Sequence, residues 1–317
     1  MGYKLAGCEV LGCVEIDKQV NKIYLQNHHP KHNFCMDLRD FNKLPDEDIP
    51  EELFDLDILD GSPPCTTFSV AGQREETWGK VKKFREGQKE QTLDDLSFVF
   101  IDTARKLKPR IVIMENVEGL ILGEAFSYVQ RIYKEFAEAG YFVHHWLLKG
   151  EQMGIPQTRH RVFFVACRND LEIDPSWLDM SFNYLPVLYG EIKSKNGKPV
   201  DPQRRMYEIL QHIQYGDGDL GDALERLEGK SSLFSHRIVY DEKVMPTITS
   251  KCEFFRMCDK CGIPDRDIIL SQTFPLDYDF CGLTPLYICG MSVPPVMMKR
   301  IVQKLIDQGV FNYKKEK

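Results

Sequence analysis

Apolar and polar positions alternate between strand-like and helix-like spacing over roughly the first half of the chain. Residues 7–14 form a short apolar stretch that reads as a strand ending at Glu15. Asp17 is placed to cap a helix over about 18–27. A brief strand over 34–36 ends at Asp37, and a short apolar strand over 56–59 ends at Asp60. Helical spacing returns over 93–107 (Leu96, Val99, Phe100, Ala104, Leu107), with Arg105, Lys106 and Lys108 at its end and Pro109 stopping it. Ile111-Val112-Ile113-Met114 is wholly apolar, the mark of a buried central strand. A helix over 126–139 is closed by Gly140, a strand follows over 141–148, Gly154-Ile155-Pro156 turns the chain, and 162–166 is a further strand. This rhythm predicts a doubly wound α/β domain.

From about Arg168 the rhythm is lost. Residues 169–270 mix Gly, Pro, short apolar runs and charge, and are expected to form a second, smaller and irregular domain, with local strand character over 239–250. An amphipathic helix over about 296–308 closes the chain.

Composition narrows the class without naming a function. The 317 residues are 43% hydrophobic and 28% charged, ordinary for a globular protein. No apolar run approaches the roughly 18 residues of a membrane span. The start lacks a basic-then-apolar signal segment, so export is not expected. Ten cysteines without export imply reduced thiols in a cytoplasmic setting. A net charge of −7 argues against an all-round positive coat, although residues 73–91 carry a local cluster that includes Arg74, Lys80, Lys82, Lys83, Arg85 and Lys89. A polar segment of this length without periodicity reads as a functional loop or a solvated one.

Candidate chemistry gathers at strand ends. After the strand over 56–59 come Gly61, Ser62 and two prolines, which restrict the backbone just before Cys65. That geometry suits one thiol held at the carboxyl edge of a sheet, where open α/β folds place ligands, although a lone cysteine is more often a small buried hydrophobe. Glu15 and Asp37 each follow a strand, positions that suit ribose and base contacts or, equally, helix caps. Glu115 ends the apolar strand, where low dielectric favours proton donation, although a cap on the next helix is an equal reading. Arg159 and Arg161 are two apart at a strand start and are expected to share one face, suiting an anion or a base edge. Cys258-x-x-Cys261 is half of a zinc knuckle with no obvious second pair. Plain thiols are the favoured reading, and no metal is expected.

Taken in order, Pro64-Cys65, Glu115-Asn116-Val117, Gln157-x-Arg159-x-Arg161, Gln272-Thr273-Phe274-Pro275 and Gly290-x-Ser292-Val293-Pro294 resemble the DNA (cytosine-5)-methyltransferases of phage and restriction–modification type. The resemblance covers nearly the whole chain. It implies a Rossmann-like S-adenosylmethionine-dependent fold, with residues 1–168 as catalytic and cofactor domain, 169–284 as target-recognition domain and 285–317 returning to the catalytic domain. It implies Cys65 as nucleophile, Glu115 as the acid at N3 and N4 of cytosine, Arg161 at O2 and Arg159 in support. It places Glu15, Ile16, Asp37, Leu38, Pro64 and Ser292 at S-adenosyl-L-methionine. It makes 73–91 a loop that closes over DNA. The implied partner is double-stranded DNA flipped one base at a time. The implied setting is the cytoplasm of a bacterial or phage-infected cell, as a monomer beside a cognate restriction endonuclease.

Two departures from the family pattern stand out. The opening strand and Phe-x-Gly-x-Gly-Gly turn have no counterpart, and residues 1–7 correspond to the helix just after that turn. The strand belongs in the centre of the sheet, so its neighbours are expected to have unpaired edges. A truncated or misassigned start, a second polypeptide supplying the strand, and a catalytically impaired DNA-binding remnant are the alternatives. Met291 stands where the family usually has Asn. A tRNA cytosine-5 methyltransferase of the same fold is a further alternative.

Overall fold

A computed structural model describes residues 1–64 and 95–312. In chain order these form α1 (Gly2–Leu5), β1 (Gly12–Val14), α2 (Lys18–His28), β2 (His32–Phe34), α3 (Leu38–Lys43), β3 (Ile58–Gly61), α4 (Leu96–Leu107), β4 (Ile111–Val117), α5 (Phe126–Glu138), β5 (Tyr141–Lys149) and β6 (His160–Arg168). There follow α6 (Tyr189–Ile192), α7 (Arg205–Gln211), α8 (Leu220–Glu228), β7 (His236–Val239), β8 (Glu253–Arg256), α9 (Asp265–Ser271), α10 (Pro285–Met291) and α11 (Pro295–Asp307). Among the described residues no helix is long and apolar enough to cross a membrane.

The chain divides into two compact units. The first comprises Glu9–Leu148, His160–Ser181 and Ile301–Lys317; the second comprises Met1–Cys8, Lys149–Arg159 and Phe182–Arg300. The first unit carries the α/β rhythm. Its four-stranded sheet has the order β3-β4-β6-β5, and β1 pairs with β2 in a separate two-stranded sheet. Both β1–β2 and β3–β4 are parallel, and β4–β6 is antiparallel. Among the described residues no strand joins β1 to β3.

The core follows from the apolar runs. Ile111, Val112, Ile113 and Met114 are fully buried, as are Val162 through Cys167 facing them on β6. Phe100, Ile101 and Ala104 of α4 and Val129, Ile132 and Phe136 of α5 pack around Val112, Met114, Val162, Phe164 and Ala166. A cluster of Phe41, Ile49, Leu53 and Leu107 gathers Val14, Phe34, Met36 and Leu56.

Several sequence expectations need correction. The first strand spans only Gly12–Val14, because only these residues register against β2; Gly7, at φ 87, instead turns the chain after α1. The second strand lies at His32–Phe34 rather than 34–36; Met36 packs into the core and Asp37 starts a helix. The third includes Asp60 and Gly61, which pair with Ile113 and Met114. In the second unit, β7 and β8 flank the stretch 239–250 instead of occupying it and pair in parallel. Around them Ile209, Leu210, Leu220, Leu224, Ile238 and Phe255 form a core of their own.

Candidate active site

The end of β4 is tied to the chain leaving β3. Gly61 registers with Met114, so Glu115 lies one residue beyond the last β3 pair. A Cβ on Gly61 would fall 2.3 Å from the Phe100 ring, so only glycine lets α4 approach the strand end this closely. Beyond it, the Asn116 side-chain amide donates to Pro63 O at 3.4 Å, and the Asn116 Oδ1 accepts from Val117 N at 2.9 Å. Asn116 is 2% exposed. Its role in holding the Pro63-Pro64 segment was not legible in the sequence, where it is one polar residue after a strand. Pro64 is exposed. The expected nucleophile Cys65 and the loop over 73–91 lie outside the described residues.

Antiparallel pairing sets Arg161, at the start of β6, opposite Val117 at the end of β4. Arg161 Nε reaches Glu115 Oε1 at 2.8 Å, with 15% and 11% of the two side chains exposed. Arg161 Nη1 also donates to His160 O at 2.7 Å. Beside this pair, His160 Nδ1 lies 3.4 Å from Glu118 Oε2. A carboxyl and a guanidinium this withdrawn from water interact more strongly than a surface pair, because solvent screens them less. One carboxyl oxygen faces arginine.

The expected cofactor acids follow adjacent strands. Val14 registers with Phe34, and Glu15 N donates to Phe34 O at 3.0 Å, so Glu15 and Asp37 lie beyond the same end of the small sheet. Glu15 Oε1 accepts from Asp17 N at 2.7 Å, and burial pushes the Glu15 carboxyl up from its ordinary value. Asp17 caps α2 as expected, accepting from Gln19 N and Val20 N. Asp37 is committed otherwise: its Oδ1 caps α3 through Arg39 N at 2.8 Å, and its Oδ2 lies 3.4 Å from Arg39 Nη1. Ile16 is half-buried, and Leu38 packs against the core. The donor set fits an S-adenosyl group best at Glu15, a carboxylate at a parallel strand end suited to ribose hydroxyls.

Arg159 and Arg161 do not act as a pair on one face. Arg159 precedes β6, where strand alternation does not apply, and belongs to the second unit. It is 2% exposed; Nη1 donates to Ile248 O at 2.9 Å and Nη2 to Gly290 O at 3.3 Å. Within that unit the remaining motifs meet in a buried network. Gln157 Nε2 donates to Gln272 Oε1 at 2.6 Å and to Ser271 O at 3.2 Å, while Ile248 N donates to Gln157 Oε1 at 2.9 Å. Gln272 Nε2 donates to Ser292 O at 2.6 Å. Ser292 Oγ donates to Ile288 O at 2.6 Å, finishing α10. Gln157 and Gln272 are fully buried. The motifs around residues 157, 272 and 290 thus hold one another.

The family model for C-5 cytosine-specific DNA methylase matches residues 1–260. An orphan methyltransferase, M.Rho11sI of Bacillus phage rho11s, is 32% identical over 170 residues, covering 54% of this chain and 30% of the relative. The type II methyltransferase M.DdeI of Desulfomicrobium norvegicum is 28% identical over 371 residues, covering 96% of this chain and 85% of the relative. The chain spans less than half the length of the phage, Neisseria and Fusobacterium relatives that it matches. Among solved structures, a putative DNA modification methyltransferase from an E. coli prophage superposes with TM-score 0.65 at 17% identity, covering 98% of this chain and 95% of that one. The S. pombe Dnmt2 methyltransferase superposes with TM-score 0.61 at 15% identity, with the same two coverages. At these identities the likeness shows the fold, a Rossmann-like methyltransferase α/β fold.

Proposed function

The chain belongs to the C-5 cytosine-specific DNA methylase family, and on that premise we propose that it transfers a methyl group from S-adenosylmethionine to C5 of cytosine in duplex DNA. The observation that carries the reading is the withdrawn Glu115–Arg161 pair at the end of β4, beside the segment that leads from β3 into Pro64-Cys65.

Cytosine C5 is a weak nucleophile. S-adenosylmethionine, when bound, supplies an electrophilic sulfonium methyl. Cys65 makes C5 reactive by adding its thiolate to C6, which turns the ring into an enamine. Glu115 engages N3 and N4, so that electron density pushed into the ring meets a proton at N3. Arg161 fixes the Glu115 carboxyl through Oε1, and in this reading it holds O2. After transfer, C5 loses its proton and the Cys65 thiolate leaves C6. The reacting atoms are stacked inside duplex DNA, so the base must be flipped out at a cost of about a few kcal/mol. Glu15 would hold the ribose of the cofactor. Arg159 is a supporting residue in this reading; within its own unit it donates to Ile248 O and Gly290 O.

Residues 169–284 supply target recognition in this reading. The protein works as a monomer in the cytoplasm, with a restriction endonuclease as its counterpart where one exists.

The test is methyl transfer from labelled S-adenosylmethionine to duplex DNA and to tRNA, with covalent trapping on DNA containing 5-fluorocytosine. Transfer to DNA and a trapped complex, both lost in Cys65→Ser, are expected. Transfer to tRNA alone moves the substrate class. DNA binding with neither transfer nor trapping overturns the enzymatic reading in favour of a DNA-binding remnant.

A further inference from the structure

The Cys258-x-x-Cys261 pair has no part in this chemistry. It occupies the tight turn after β8. Arg256 N donates to Cys261 O at 2.8 Å and Lys260 N to Arg256 O at 3.0 Å, with Lys260 left-handed at φ 55. Two thiols three residues apart are thereby held in one closed turn. They differ in access: Cys258 is exposed and Cys261 half-buried. A Cβ on Gly197 would lie 2.3 Å from Cys261 Cβ, so the backbone at Gly197 packs directly on Cys261.

Two cations address the exposed sulfur. Arg256 Nη2 donates to Cys258 Sγ at 3.7 Å, and Lys193 Nζ donates to it at 3.9 Å. Arg256 is 2% exposed. Its Nη1 donates to Ser194 O at 3.0 Å and its Nη2 meets Asp259 Oδ2 at 2.9 Å, but its buried Nε has no hydrogen-bond partner. A buried guanidinium with an unspent donor is a costly neighbour for an inert thiol. Cationic neighbours are what make a sulfur a good attacking or leaving group. Cys261 has the opposite setting: burial, with Asp259 beside it, pushes its thiol up.

We propose that Cys258 and Cys261 form a thiol–disulfide exchange pair that reacts with low-molecular-weight disulfides of the glutathione type, Cys258 attacking and Cys261 resolving. In the first step Cys258 gives up its proton and its sulfur bonds to one sulfur of the small disulfide, whose S–S bond breaks and releases one small thiolate, which the proton neutralises. In the second, Cys261 gives up its proton and attacks the Cys258 sulfur, releasing the other small thiol. Two protein thiols are oxidised to one disulfide, and one small disulfide is reduced to two thiols. The intramolecular bond changes the sulfur that Arg256 and Lys193 address; both cations also have carboxylate partners, Asp259 and Asp241. The inference rests on this turn alone and stands whether or not the chain methylates DNA.

The test exposes the full chain to glutathione disulfide, alkylates the remaining thiols and maps peptides over time. A Cys258–Cys261 disulfide should form before Cys35, another exposed cysteine, is capped. Cys261→Ser should stop the reaction with glutathione on Cys258, and Cys258→Ser should leave Cys261 free. Lys193→Met should slow the first step several-fold while the Cys35 rate, an internal control for folding, is unchanged. Capping of Cys35 while Cys258 and Cys261 stay reduced overturns the proposal. So does glutathione reaching Cys261 equally fast in Cys258→Ser, or a Lys193→Met rate equal to the parent's.

Discussion

Replacing Gln157 by alanine removes one buried amide and strands its partners. Ile248 N loses its acceptor, and Gln272 Oε1 and Ser271 O lose a donor. Gln157, Gln272 and Ser271 are fully buried and Ile248 is a core residue, so water does not replace the lost partner without opening the structure. Each stranded group costs about 1–3 kcal/mol. The Ser271 contact is the longest of the three and counts least. Two full losses give about 2–6 kcal/mol, and some turning of Gln272 toward other partners brings the expectation to about 3 kcal/mol. That is a large share of the about 5–15 kcal/mol that keeps a domain folded.

The assay must report the right unit. The second unit contains none of the three tryptophans, so tryptophan fluorescence, Trp146 included, follows the first unit alone. Hydrogen exchange of peptides covering 245–250 and 268–273 follows the network directly. Gln157→Ala should lose protection there by about 3 kcal/mol, while Trp146 unfolding in urea shifts far less. Gln157→Glu sharpens the argument. Ionised, it keeps an acceptor for Ile248 N but sets a buried charge against Gln272 Oε1. Protonated, it restores the donor. Its deficit relative to the parent should therefore shrink as pH falls, because the folded state takes up the proton. Exchange within about 1 kcal/mol of the parent in Gln157→Ala, or a Gln157→Glu deficit independent of pH, would refute the scaffold role.

Glu115→Gln keeps an acceptor for Arg161 but loses the acid; the methyl-transfer rate should fall about 10²–10⁴-fold while urea unfolding followed by Trp146 shifts modestly, and an unchanged rate removes Glu115 from the chemistry. Glu15→Gln tests the buried carboxyl. Burial raises its folded pKa, so the folded state holds more protons and stability declines as pH rises from the ordinary carboxylate value through the raised one. The variant should therefore gain stability over the parent at neutral pH and match it in acid below the unfolded pKa; a gain in acid alone contradicts the sign. Gly61→Ala drives a methyl into the Phe100 ring and should cost about 1–3 kcal/mol, recovered in part by Phe100→Leu, as read by urea unfolding of the double-mutant cycle.

Much of the α/β unit was legible because its signals are local. Four consecutive apolar residues at 111–114 made a buried strand, Asp17 capped α2, and Gly140 at φ 87 closed the turn after α5. Where local pattern misled, a longer-range partner decided. Register against β1 pulled the second strand back to His32–Phe34, and the free Asp37 became a cap. Arg159 and Arg161 share a spacing, yet only Arg161 is in a strand. Gln157 and Gln272 stood out only as members of motifs, and glutamine is mostly exposed; their burial depends on a partner more than a hundred residues away that no local window contains.

Topology explains why the candidate chemistry comes from separated segments. In a parallel pair both strands end on one edge: the residues following β1 and β2 supply Glu15 and Asp37 at one end of the small sheet, while in the larger sheet β3 leads to Pro63-Pro64 and β4 carries Glu115 near its end. A parallel strand brings a carboxyl-end residue to that edge and carries its first residue to the opposite one. β6 runs antiparallel to β4, so its first residues, not its last, meet Val117. That reversal is what lets a strand-start arginine reach a strand-end glutamate at 2.8 Å. Had β6 been parallel, Arg161 would lie at the far edge, and Glu115 would lack its cation. The direction of one strand therefore sets whether that acid is held by a guanidinium, and Val117↔Arg161 is the register that fixes it.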